Sequence, residues 1–172
     1  MLIGYLGKEP KLHASVFVAE GAHVIGDVAI GMNSSLWFNA VVRGDVNFVR
    51  IGARTNVQDN SVIHVTHEKF PTVIASNVTI GHAAIIHGCT VEDSCLIGMG
   101  AILLDGCRIG DHCLVAAGSL VREGFVAPAK SLVAGVPARI VRELNSEELS
   151  RLEASAQHYV DYVSNYRFGS ST

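Results

Sequence analysis

The amino-acid sequence predicts an all-β solenoid, a coil of short strands closed by one C-terminal helix. Three observations carry this. Apolar residues recur every six positions along most of the 172-residue chain. The composition is β-branched and glycine-rich, with 22 Val, 13 Ile and 17 Gly against 6% aromatic residues, which favours strands and tight corners over a helical bundle. The cysteines repeat at three times six, Cys89 to Cys107 and Cys95 to Cys113.

The six-residue beat runs through Val18, Val24, Ile30, Leu36 and Val42, then Ile51, Val57 and Ile63, then Ile74, Ile80 and Ile86. A last run goes from Val91 through Ile97, Leu103, Ile109 and Val115 to Val121. An α-helix cannot hold that period, because its faces recur near 3.6 residues. A coil of three short strands per turn can. Each hexad is one side plus a corner, with the apolar residue pointing inward. The small residue four places on (Ala22, Ser34, Ala84, Cys95, Cys107) fits beneath the next corner. Gly31, Gly52, Gly81, Gly98 and Gly110 directly follow an apolar position, relieving crowding or a positive φ at the bend. The cysteines then stack in columns as small core residues. Gly135-Val136-Pro137-Ala138 reads as the terminating turn. Asn145-Ser146-Glu147-Glu148 reads as a helix N-cap with an acidic first turn. Leu149, Leu152, Ala156, Tyr159, Val163 and Tyr166 form one helical stripe. The expected organisation is a coil over residues 1–140 and a helix over 141–172, packed on the coil or on a neighbouring subunit.

Net charge −3 and pI 6.2 argue against nucleic-acid and anionic-membrane partners. No apolar run reaches the roughly 18 residues of a spanning helix. The N-terminus lacks the pattern of a signal peptide, so a cytoplasmic location with reduced thiols is expected.

The register slips in three places, with three extra residues between Val42 and Ile51, five between Ile63 and Ile74, and one fewer between Ile86 and Val91. Insertions in a solenoid are expected to leave as loops at a corner. Corrected for the slips, Arg43, His64 and His87 fall in one corner column of successive coils. Neighbouring coils lie about 4.8 Å apart, so two imidazoles there can share a cation. His82 belongs to another corner, beside Gln58 in column terms. If three coils pack around a threefold axis, one chain's His82 corner meets the next chain's His64/His87 corner. Spacing alone also allows Arg43-Gly44-Asp45 to be a corner ion pair. His13, His23, His112 and His158 are assigned no role.

The order Val42-Arg43-Gly44-Asp45, Asn56-Val57-Gln58-Asp59, His64, Val78-Thr79-Ile80-Gly81-His82, His87-Gly88-Cys89 and Leu96-Ile97-Gly98-Met99-Gly100-Ala101 resembles the γ-class carbonic anhydrase family across nearly the entire chain. The resemblance implies a left-handed parallel β-helix of hexapeptide repeats, although general crossover rules favour the right hand. It implies a homotrimer with Zn2+ (or Fe2+ or Co2+) at the subunit interfaces, held by His64 and His87 of one chain and His82 of its neighbour. It implies reversible hydration of CO2 to bicarbonate by a metal-bound hydroxide. Gln58 would orient water or substrate, Asp45 would accept a hydrogen bond from that water or from Gln58, and Arg43 would hold Asp45 across the subunit boundary. One position departs: Val46 stands where the best-studied members carry a proton-shuttling Glu, and the loop His67–Pro71 is short. His67 and Glu68 are the candidates to replace that Glu. The alternatives are a CoA-dependent acyltransferase or thioesterase of the hexapeptide type, or a catalytically silent trimer stapled by metal.

Overall fold

A hexad has room for two residues of strand and a corner. In the computed structural model, which describes residues 1–168, most strands accordingly span two residues, such as Asn56–Val57, Thr79–Ile80 and Leu96–Ile97. They stack in parallel to form a left-handed β-helix. In the regular region each residue sits on the one 18 positions later, Leu96 on Leu114 and Ile102 on Leu120.

The coil has three faces. The first carries Val62–His64, Ile85–His87, Ile102–Leu103 and Leu120–Val121; the second carries Thr72–Ile74, Thr90–Val91, Arg108–Ile109 and Val126–Ala127. The long strands His23–Ile30 and Val41–Ile51 run through the corner between them and join both into one 12-stranded sheet. The third face is an 8-stranded sheet. It ends in the antiparallel hairpin of Ser131–Gly135 with Ala138–Glu143.

The inward column is the core. Val24, Ile63, Ile86, Leu103, Ile109 and Val121 are fully buried, as are Ala22, Ala84 and Cys113 beneath the corners. Burying each large aliphatic contributes about 1.5–3 kcal/mol. All four thiols are free and buried. The Cys113 N–H donates to Cys95 Sγ one coil below, at 3.4 Å, and burial pushes the Cys95 thiol far above its usual range, keeping it protonated. Crowding accounts for the glycines after the apolar positions. A Cβ on Gly31, Gly52, Gly81, Gly98 or Gly110 would come within 2.4–2.8 Å of the backbone of the next coil.

The insertions behave differently from one another. The three residues after Val42 leave no loop. Gly44 lies opposite Gly26 but Val49 lies opposite Val28, so the extra residues bulge out of a continuous strand. The five after Ile63 do form a corner loop, closed by the Thr66 N–H donating to the Phe70 carbonyl at 2.9 Å.

The helix Ser146–Phe168 lies on the third face. A reciprocal capping box starts it: the Glu148 N–H donates to Asn145 Oδ1 and the Asn145 N–H to Glu148 Oε2, both at 2.9 Å. Leu152, Ala156 and Val163 are buried. Trp37 packs edge-on against Tyr159 and Tyr166, with ring centroids 5.4 and 5.2 Å apart. This helix is not apolar enough to cross a membrane.

Two outcomes test this packing. Gly98→Ala drives a methyl into the backbone of Ala117 and should cost about 1–3 kcal/mol, lowering Tm by roughly 3–10 °C in calorimetry. Glu148 is held down at about 2 by the Arg142 guanidinium and the Asn145 N–H. Its folded pKa lies below the ordinary 4.5, so its contribution is complete above that value and is lost as pH falls toward 2. NMR shifts should therefore report fraying of residues 146–150 between pH 4.5 and 2 in the native chain, and at neutral pH in Glu148→Ala.

Candidate metal centre

Coil-to-coil pairing sets Val42 opposite Ile63 and His64 opposite His87. Arg43, His64 and His87 thereby share the corner between the first and second faces, as the column count predicts. The imidazole rings stand 5.1 Å apart, centroid to centroid. His64 Nδ1 faces His87 Nε2 at 3.1 Å. The outer nitrogens each meet a carboxylate: His64 Nε2 lies 3.0 Å from Asp45 Oδ1, and His87 Nδ1 lies 2.6 Å from Asp105 Oδ1. An ionised carboxylate only accepts, so each outer nitrogen carries the proton and donates it. Two lone pairs are left facing each other. Lone pairs at that distance repel unless a cation or proton lies between them. Nitrogens bound to one tetrahedral zinc stand about 3.4 Å apart, given bonds of ~2.0–2.1 Å, so the pair fits a shared metal.

The surroundings favour a neutral His64. Burial lowers the pKa of His64, and the Arg43 charge adds to this against the pull of Asp45. Burial pushes the Asp45 carboxyl up, but hydrogen bonds from His64 and Arg43 outweigh it and hold the group below the usual range. Asp105 is lowered in the same way, with burial opposed by the Thr66 hydroxyl and His87. Within one chain Arg43 pairs with Asp45. The Asp45 carboxylate there accepts from Arg43, His64 and the Val46 N–H.

His82 and Gln58 occupy the opposite edge of the first face. Thr79 pairs with Asn56 and Ile80 with Val57, so the residue opposite Gln58 is Gly81, and His82 lies one further on, opposite Asp59. This corrects the simple column count. The position after Ile80 has no room for a side chain, because a Cβ on Gly81 would sit 2.7 Å from the Met99 nitrogen. Gln58 Oε1 accepts from the His82 N–H at 3.2 Å, and its Nε2 donates to Asn56 Oδ1 at 3.1 Å. His82 Nδ1 lies 2.6 Å from Asp59 Oδ2, with the imidazole 46% exposed. Among the described residues of one chain, no three His, Cys, Asp or Glu are grouped to hold a metal. One corner supplies two imidazoles and the other supplies one.

His67 and Glu68 line a cleft of about 420 Å³ together with Asp45, Val46, Tyr5 and Leu6. His112 Nδ1 hydrogen-bonds the neighbouring Asp111, and its Nε2 lies 3.5 Å from Glu153 of the helix.

Sequence reasoning passes over Asp105 and Thr66 and gives Asp59 no role. Asp105 is reachable from the one-residue deficit. The coil from Ile86 to Leu103 is short, Ile86 pairs with Leu103, and the next corner carboxylate therefore falls beside His87. Gly88 makes room for it, since a Cβ there would lie 2.3 Å from Asp105 Oδ1.

Residues 88–123 match the bacterial transferase hexapeptide family (six repeats). Gamma carbonic anhydrase 2, a mitochondrial protein of Arabidopsis thaliana, is 46% identical over 165 residues, covering 93% of this chain and 59% of its own length. The chain thus spans little more than half of that relative. A protein of Methanocaldococcus jannaschii described as "Probable carbonic anhydrase" is 55% identical over 146 residues, 85% of this chain and 91% of that one. A hexapeptide transferase family protein from Anaplasma phagocytophilum has a crystal structure that superposes with a TM-score of 0.92 at 39% identity, covering 96% of this chain and 97% of that one.

Arg43→Ala tests the electrostatics of the corner without any metal. Losing the guanidinium should raise the Asp45 pKa from its lowered position toward the ordinary range, because burial then acts with less opposition. Carboxyl-carbon NMR titration of the metal-free protein reads this directly.

Proposed function

We infer the function from one premise: the chain belongs to the γ-class carbonic anhydrase family. We propose that it hydrates CO2 reversibly to bicarbonate at a divalent-metal centre shared between subunits of a cyclic homotrimer. His64 and His87 come from one chain and His82 from the next. The observation that carries this reading is the 3.1 Å approach of His64 Nδ1 and His87 Nε2, each ring with a carboxylate on its outer nitrogen.

The outer surface of the first face supports the assembly. Val41, Val62, Ile85, Ile102 and Leu120 point outward in one column, with Val62 and Ile85 exposed. Such an apolar column marks an association surface. The His82 corner bounds this face on one side and the His64/His87 corner on the other. Three copies turning it toward a common axis would bring unlike corners together.

Zn2+, Fe2+ or Co2+ bound there supplies Lewis acidity that makes water nucleophilic toward CO2 near neutral pH. The chain's own residues do the rest. His64 and His87 are neutral donors and leave the cation its full charge. Asp45 takes the His64 Nε2 proton in a hydrogen bond and fixes the ring, and Arg43 keeps Asp45 ionised. Gln58 holds the His82 backbone and retains one Nε2–H to orient water or substrate. His67 and Glu68, on the rim of the cleft that Asp45 enters, are placed to carry protons out.

An acyltransferase reading, favoured by the transferase name of the Anaplasma structure, makes a histidine a general base and predicts activity without metal. One experiment addresses both readings. His82→Ala and His64→Ala chains, each expected to lose metal and CO2 hydration, are co-expressed to form mixed trimers. Every mixed trimer then has one intact site, and random mixing should restore about a quarter of sites. Metal content and hydration that stay at the single-variant level overturn the shared centre. A native protein that holds no metal after loading with zinc, iron or cobalt overturns the metal reading altogether.

A further inference from the structure

We propose that Asp59 and Asp105 are positioning residues that preset the tautomer and aim of His82 and His87. The proposal rests on the reading above that these histidines hold a metal. A neutral imidazole in water exchanges its proton between two nitrogens and turns freely, so only part of the population offers a given lone pair in a given direction. A carboxylate within hydrogen-bond reach of Nδ1 removes that freedom. It accepts only, so the proton stays on Nδ1 and Nε2 is left as the lone pair.

The two corners do this in different ways. His87 Nδ1 hydrogen-bonds Asp105 at 2.6 Å. His82 Nδ1 lies 2.6 Å from Asp59 Oδ2 as a close ion-pair contact without an aligned N–H···O bond, so the carboxylate charge holds the proton on that nitrogen. Asp105 is itself fixed, because its other oxygen accepts from the hydroxyl of Thr66 on the five-residue insertion. That insertion also sets Phe70 against Gly88 and Gly106, where a Cβ on either glycine would come within 2.9–3.0 Å of the Phe70 side chain. The loop thus acts as a brace behind a ligand. At the other corner, the Ala83 N–H donates to the Asp59 carbonyl at 2.9 Å. Tyr159 and Tyr162 of the helix line a pocket of about 220 Å³ with Asp59 and His82, screening that pair on one side. The role differs from that of Asp45, which lies on His64 Nε2 and is shared with Arg43.

Imidazole proton–nitrogen NMR of the native metal-free protein reads the tautomers directly. Both His82 and His87 should carry the proton on Nδ1, and an Nε2–H form at either one overturns the assignment for that residue. Zinc affinity, measured by competition with a chromophoric chelator, gives the second readout. Asp59→Ala and Asp105→Ala should each weaken zinc binding about 10–100-fold. Asp59→Asn and Asp105→Asn, which keep an acceptor oxygen, should recover most of that loss. Asp111→Ala, far from both corners, should change nothing. Alanine variants that bind zinc as tightly as the native chain overturn the inference and leave the metal reading standing. An equal loss in Asp111→Ala overturns it as general destabilisation. A native chain that binds no zinc overturns both.

Discussion

Backbone hydrogen bonds between successive coils hold each turn directly on the one before, at the neighbouring-strand spacing of about 4.8 Å. Everything else in the molecule depends on that stacking. Residues a coil apart in sequence become neighbours in a column, and a column of one residue type becomes a physical object. Inward, the columns are an aliphatic core in which one hexad packs like the next. At the corner after Val42, Ile63 and Ile86, a column becomes an arginine and two imidazoles, with the two rings 5.1 Å apart. No helix or long loop is needed to bring them together.

Deviations from the repeat are where chemistry enters. A strict 18-residue coil has one kind of corner, and its crowded positions accept only glycine or small residues. The bulge after Val42 lifts Asp45 out of the strand so that its carboxylate reaches His64. The loop after Ile63 brings Thr66 to Asp105. The short coil after Ile86 slides that aspartate beside His87. Each change is a few residues long, and each delivers one polar group to the same corner while the inward column keeps its place.

The three faces divide the remaining work. The third is covered by the C-terminal helix through Trp37 and the tyrosines, so its outward residues are screened within the chain. The second face carries Arg50, Thr90 and Arg108 outward, interrupted by Val73 and the exposed Val126. The first shows an apolar column to the outside with a histidine corner at each edge. Under the proposed function, this apolar face between the two histidine corners is where association and metal binding would coincide.

Much of this is legible in the order of residues alone. The period of six determines the solenoid, because the side chains of successive turns must meet at one interior column, and no helix has that period. The helix stripe and its Asn145–Glu148 cap are equally local. So is the His64/His87 pairing, since counting residues per coil is all that a column requires. Other features are out of reach of counting. Whether three extra residues bulge or loop depends on whether the neighbouring strand can shift register beneath them. Whether Gly81 or His82 faces Gln58 depends on space for a Cβ one coil away. Which carboxylate touches which imidazole is decided over distances shorter than one residue's rise, by backbone direction at a corner. Sequence spacing resolves positions to a residue; a hydrogen bond requires placement within tenths of an ångström, and only the packed corner supplies that.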